Sequence, residues 1–393
     1  MAVDVQRDEA EVWFRRRGLP LVVHGSAQGR ALIARTGPAL VFLAVLVLID
    51  IWLQWFSLEP ESDGSADETS FGYFDVIVGL LAVAVMYLIL PILAVWMTRK
   101  ALRRRSDTVQ FAAGVVAIVL SVALLPVAAA ANGYASYLGG LVTAVVSVSA
   151  LLLLVRLGVG AILIWAIRKA AQQVNSIGTM ASRVLPLLLL VVMFAFFTGE
   201  LWQAANALSR SQLWVVVAFL ALLAVGFMAA TFSDELPALR EASRARADLL
   251  ARLQGTPLRG TTATAGQSRL TGPERLNVLL LLFLAQAVQV VAFVVVVFVF
   301  FVVFGVLMIT PGVQETYLSA PLPAEATFFG IPVPVSNALF QVSLFLAAFS
   351  GLYFTASKTT DERYRRAFFE PLIDEIALSL AARDVYRERW PQQ

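Results

Sequence analysis

Asp50, Arg156 and Glu200 are the residues whose type and setting could do chemistry, because each falls inside a run of about 20 apolar residues, the length that crosses a bilayer. An ionised side chain at the bilayer centre costs about 2.5–3.5 kcal/mol on insertion scales, so it turns toward a partner or a wet cavity. Arg156 paired with either Asp50 or Glu200 would leave the other carboxylate free to take a proton or a cation. That is the chemistry of a secondary transporter or channel for a small solute, ion or lipid. The same three charges also fit a static ion pair that locks helices together. They fit, too, side chains that snorkel to the interfaces while the helix slides. Gln286 and Gln289 stand three apart on one helix face, as a polar path or as interhelical glue worth about 0.6 kcal/mol per hydrogen bond. Gly139 with Gly140, and Gly158 with Gly160, permit close helix approach but form no GxxxG.

Much other chemistry is excluded. The chain has no Cys and a single His, His24, so disulfides, thiolate chemistry and a multi-His metal site within one chain are ruled out. No metal and no cofactor is expected. HExxH, GxSxG and GxxxxGK[ST] are missing, and the chain is not expected to be an enzyme. Only Asp234-Glu235 and Asp361-Glu362 offer places where a divalent cation and a phosphate could meet, for a lipid-linked substrate. Acids at helix N-termini explain them as well. A pI near 9.3 suggests nucleic acid, but basic residues at one end of each span produce the same pI, and no nucleic acid is expected.

The elements that must position these residues are membrane helices. Apolar residues make up 59% of the chain and charged residues 15%, against about 45–50% and about 25% in soluble domains. The excess falls in eight runs, near 39–58, 74–97, 109–131, 138–167, 184–205, 212–232, 276–309 and 336–356. The gaps alternate between basic and nearly base-free. Of the 30 Lys and Arg, 28 lie on one side if the chain crosses eight times; Arg156 lies within a run and Arg210 on the other side. The positive-inside rule then predicts an all-α polytopic transmembrane helix bundle of about eight spans with both termini cytoplasmic. The first run ends in Trp52, Trp55 and Phe56 after a long polar leader, as a retained span does.

This divides the chain into a cytoplasmic N-terminal segment (1–38), a six-span region (39–232), a cytoplasmic amphipathic helix and flexible linker (233–275), a two-span region (276–356) and cytoplasmic C-terminal helices (357–393). The run 138–167 would be about 45 Å long as one helix, so it must tilt or project. Trp13-Phe14-Arg15-Arg16-Arg17 suits either a plain tail or a segment on the inner surface, guanidinium groups toward anionic lipid headgroups. The base-free stretch 310–335, rich in Pro, reads as an outer lid or small hairpin.

WFRRRGLPLVV (13–23), GPERLNVLLLLFLAQAVQVV (272–291), FFVVFG (300–305) and SGLYFTASKTTDERYRRAFFE (350–370) resemble a group of uncharacterised actinobacterial integral membrane proteins. The resemblance covers the N-terminus and the last two spans. It implies a bacterial plasma (inner) membrane and carries no activity or catalytic residue.

The leading expectation is an accessory or scaffolding membrane protein. It would act through a protein partner, or as a homo-oligomer, by way of helices 234–253 and 361–389, with the lipid bilayer as its surroundings. On that expectation Leu249, Leu253, Phe368 and Ile376 are the sensitive positions. The alternative is the transporter or channel built on Asp50, Arg156 and Glu200.

Overall fold

The computed structural model describes residues 2–20, 28–56, 78, 82, 85–102, 105–131, 137–172, 190–242, 252–253, 255–258, 270–322, 325–328, 331–360 and 370–390. The described residues are helical apart from one small hairpin and short connections. Its helices are α1 (Ala2–Arg16), α2 (Gln28–Phe56), α3 (Leu90–Leu102, entered through a π-helical turn, Val85–Ile89), α4 (Asp107–Ala131), α5 (Tyr137–Arg156), α6 (Val159–Gln172), α7 (Gly199–Ala207), α8 (Arg210–Ala242), α9 (Gly272–Met308), α10 (Pro311–Leu318), α11 (Asn337–Thr360) and α12 (Glu370–Arg389). Residues 190–196 form a further stretch of about two helical turns before α7. Strands β1 (Glu325–Phe328) and β2 (Ile331–Ser336) pair antiparallel with a bulge after Glu325. The lid-or-hairpin segment is thus a short helix followed by a hairpin.

Among the described residues, five helices are long and apolar enough to cross a membrane: Val85–Leu102, Leu138–Arg156, Arg210–Ala230, Gly272–Met308 and Asn337–Ser357. Thr36–Ile49 and Thr108–Leu124 are shorter apolar stretches of the same kind. The outward faces of these helices are apolar, with Val215 68% and Leu222 67% exposed, the inverse of a soluble surface.

Helices α2, α3, α4 and α5 pack on one another, with α2 against the other three. A second set is built on α9, which packs on α6, α8 and α11. At 37 residues α9 is about 55 Å long, well beyond the hydrocarbon thickness of about 30 Å. Its Gly272 end is called basal here, and its Met308 end the hairpin end. Each end has its own core. The basal core joins Phe14, Leu19, Ile162, Trp165, Leu253, Leu258, Leu281, Leu372, Ile376 and Tyr386. The hairpin-end core joins Phe196, Trp202, Phe301, Leu318, Val335 and Leu339. There Trp202 Nε1 donates to the Phe196 carbonyl at 2.7 Å, and Gln203 Nε2 to the Tyr317 carbonyl at 3.0 Å.

Four expectations about boundaries change. The run 138–167 is not one tilted helix: it divides at Leu157-Gly158, where Gly158 takes φ +70°. The run 184–205 divides at Phe197-Thr198, and residues 173–189 lie outside the described part. Helix α2 begins eleven residues before the predicted 39, and α8 runs unbroken through the predicted boundary at 232. Apolar count places the hydrocarbon; it does not place the helix ends, because a helix continues into water wherever its backbone bonds remain intact.

The tightest helix crossing in the first set is α2 on α4. Gly37 lies against Gly114, and a Cβ on Gly114 would overlap the Ile33 carbonyl. Backbone cannot step aside as a side chain can. Gly114→Ala is therefore expected to separate α2 from α4 and destabilise the chain by about 1–3 kcal/mol, the usual range for overpacking. Unfolding in detergent checks this, with no loss of midpoint as the contrary result.

Candidate functional site

The structure separates the residues singled out by sequence. Arg156 is the last residue of α5 and is exposed; two residues later Gly158 touches the chain near Pro20 at the basal end. Glu200 lies in the first turn of α7, exposed, beside α10 at the hairpin end. These ends are set apart by the length of α9, from Asn277 to Ile309, about 48 Å. An Arg156–Glu200 pair is not built, because the break at Gly158 moves Arg156 from mid-span to a helix end. Asp50 lies within α2, but its side chain is outside the described residues, as are those of Asp234, Glu235, Asp361 and Glu362. Gln286 and Gln289 are buried on α9, between the two cores.

The charges the structure does gather lie at the basal end. Glu274, 2% exposed, occupies the first turn of α9 and receives five donors. Arg383 Nε donates to Oε1 at 2.8 Å and Arg383 Nη2 to Oε2 at 2.6 Å, the two-pronged geometry that suits a guanidinium to a carboxylate. Arg387 Nη2 stands 2.9 Å from Oε1. The Thr271 backbone N–H and hydroxyl each donate to Oε2 at 2.9 Å. Arg383 is itself 1% exposed, and its remaining Nη1 donates to Asp384 at 2.8 Å. This clasp fixes α12 to the start of α9.

Helix α1 and the turn after it complete the arrangement. Phe14 is fully buried and meets Tyr386 edge-on at 5.6 Å. Tyr386 donates its hydroxyl proton to Glu11 at 3.2 Å, and burial pushes its phenol above the usual value. Gln6 Nε2 donates to the Pro257 carbonyl, and Asn277 Nδ2 to the Gly18 carbonyl at 2.9 Å. A Cβ on Gly158 would overlap Pro20 Cγ. The strap 17–20 therefore runs between the α5–α6 break and α9. The segment therefore does not trail as a plain tail, and Phe14 is a residue of the basal core.

Beside the clasp, Lys169 Nζ meets Glu375 at 2.6 Å. The Arg17 guanidinium stacks over the Trp13 ring at 4.3 Å. Burial pushes Arg17 below its usual value; Glu375 opposes this and Arg252 adds to it. Among the described residues no group of three His, Cys, Asp or Glu is placed to hold a metal ion.

Helix α12 also departs from expectation. Leu372, Ile373, Ile376, Ala377, Leu378, Ala382 and Val385 are buried within the chain itself. Only Glu370, Pro371, Asp374, Glu388 and Arg389 are exposed. Of the four positions expected to bind a partner, Leu253 and Ile376 are core residues, and Leu249 and Phe368 lie outside the described residues.

Sequence reasoning passed over Glu274, Arg383, Arg387 and Asn277. One signal was present: Thr271-x-x-Glu274 before a long apolar run is a capping-box pattern. Nothing local marks Arg383 as its partner, 109 residues away. No protein-family model, no curated protein and no solved structure matches the chain.

Proposed function

We propose that the chain is an accessory or scaffolding protein of a bacterial plasma membrane, crossing it about eight times, with both termini and the basal end cytoplasmic. The observation that carries this reading is the use made of buried polar groups. Each brace joins one part of the chain to another: Glu274 to Arg383 and Arg387, Asn277 to Gly18, Arg210 to Asn337 at 2.6 Å, and Gln341 to the Leu208 carbonyl at 3.2 Å. A fold that spends its buried polarity on internal braces holds a fixed shape, as a scaffold requires. The separation of Arg156 from Glu200 removes one of the two pairings on which the transporter reading rests. The positive-inside pattern supports the orientation.

The partner-facing edge is then not the apolar stripe of α12, which is occupied. It is the acidic edge of Glu370, Asp374 and Glu388, which fall on one helix face.

Purification of the tagged protein from native membranes, with mass spectrometry of what co-elutes, tests this. The expected result is a stoichiometric protein partner, lost in Asp374→Lys/Glu388→Lys while the chain still folds. A chain that elutes alone with a retained solute, and loses it on Arg156→Gln or Glu200→Gln, would replace the accessory reading with the transporter one.

A further inference from the structure

We propose that Arg17, Arg252 and Lys169 form a binding site for a phosphate group at the basal end, and that an anionic lipid headgroup supplies it. Four observations converge. The neighbours of these residues pack in one core: Phe14 and Leu19 flank Arg17, Leu253 follows Arg252, Ala166 precedes Lys169 by three residues, and Trp165 and Ile376 lie among them. Lys169 contacts Glu375, and Glu375 and Arg252 both act electrostatically on Arg17, so three chain segments distant in sequence bring cations to the same end of this core.

The local charge is unbalanced. Among the described residues, Glu375 is the one carboxylate that acts on Arg17, and Lys169 already engages it, while Arg252 adds a second positive charge. Two guanidinium groups within electrostatic range of each other raise each other's energy, and an anion between them relieves that repulsion.

One donor is aimed and unused. Arg17 Nη1 is sealed from solvent and has no hydrogen-bond partner. Its guanidinium carbon lies over the Trp13 ring, 4.3 Å from the centroid, and the Arg17 backbone N–H donates to the Trp13 and Phe14 carbonyls. A fixed planar fork with a free N–H is the arrangement that takes phosphate oxygens. Arg252 is exposed and free to close over the same anion.

The depth is that of a headgroup. Helix α6 exposes Leu163, Ile164 and Ile167, an apolar stripe that belongs against acyl chains, and Lys169 follows two residues later. A cation at that height, beside a Trp, stands where lipid phosphates lie.

The site rests on the membrane placement proposed above and not on the accessory role. Reporter fusions at the basal end test that placement; the binding assay, done in detergent, tests the site separately. The full-length chain is purified in neutral detergent and titrated with dioctanoyl phosphatidylglycerol, dioctanoyl phosphatidylcholine or inorganic phosphate, with thermal midpoint as readout. Phosphatidylglycerol is expected to raise the midpoint well above phosphatidylcholine. Arg252→Gln, an exposed position that leaves folding intact, is expected to weaken the effect about tenfold, in line with the loss of one charged hydrogen bond. Arg17→Gln should do the same, and Arg168→Gln, exposed at the same end but outside the site, should not. Inorganic phosphate matching phosphatidylglycerol would support the site and assign it to free phosphate. No shift with either anion, equal shifts with phosphatidylcholine, or an Arg168→Gln loss as large as that of Arg252→Gln would overturn the proposal.

Discussion

Glu274→Ala is expected to destabilise the chain by about 3–5 kcal/mol, the cost of breaking a buried ion pair from one side. The size follows from what remains. Arg383 is 1% exposed and cannot turn to water, so among the described residues its guanidinium keeps the Asp384 carboxylate and loses that of Glu274. Thr271 loses the acceptor for its backbone N–H and its hydroxyl. Arg387, 24% exposed at its side chain, is less affected because solvent reaches it. Helix α12 should then detach, detected as faster proteolytic release of the C-terminal segment and a lower unfolding midpoint in detergent. Glu274→Met combined with Arg383→Met separates a buried-charge effect from simple loss of packing. Two apolar side chains of similar length remove both sealed charges together, and the partners left behind, Arg387 and Asp384, keep 24% and 12% side-chain exposure to water, so the double change should cost less than the sum of the single changes by more than about 1 kcal/mol. Strict additivity would mean that the two residues do not act as a pair.

Gly158→Ala and Gly160→Ala should differ sharply although the positions are two residues apart. Gly158 has φ +70°, where an L side chain is strained, and its Cβ would overlap Pro20 Cγ, part of a rigid ring. The left-handed conformation costs about 1 kcal/mol and forced overpacking about 1–3 kcal/mol more. The strap 17–20 would have to lift away from the α5–α6 break, and the Asn277 bond to the Gly18 carbonyl would go with it. Gly160 lies within α6 with nothing within 4 Å of its Cβ direction, so alanine there should be neutral or stabilising by up to about 1 kcal/mol. Equal effects at the two positions would show that the break needs neither the positive φ nor the Pro20 contact.

Both predictions concern features only partly legible in the chain. The helical class is visible in the sequence, because a run of 20 or so apolar residues must satisfy its backbone internally and helix does so within the segment. The hairpin between α10 and α11 was legible as an alternative, since Pro at 332 and 334 with no base suits a short, edge-like strand pair. The Gln286–Gln289 face was legible from spacing, and both residues are buried. Arg156 was misplaced for a definite reason. Hydropathy continues smoothly from 138 to 167, and nothing in an apolar average reveals that Gly158 turns left-handed to admit Pro20 from 138 residues earlier. The amphipathic pattern of 370–389 was also read in part: the apolar stripe is real, but its occupant is the chain itself.

What the sequence by itself determined is therefore what depends on local composition and period: a helical chain with helices long enough to cross a bilayer, no thiol or multi-His chemistry, and basic residues segregated between apolar runs. What only the tertiary structure decided is which distant residues meet. Glu274 with Arg383, Asn277 with Gly18, Lys169 with Glu375 and Pro20 with Gly158 are each joined across more than one hundred residues of chain. The physical reason is that burial of a charge or a close backbone approach is stabilised by its partner and not by its neighbours in sequence. An arginine in the last turns of a helix looks the same in the chain whether it faces water or clasps a carboxylate.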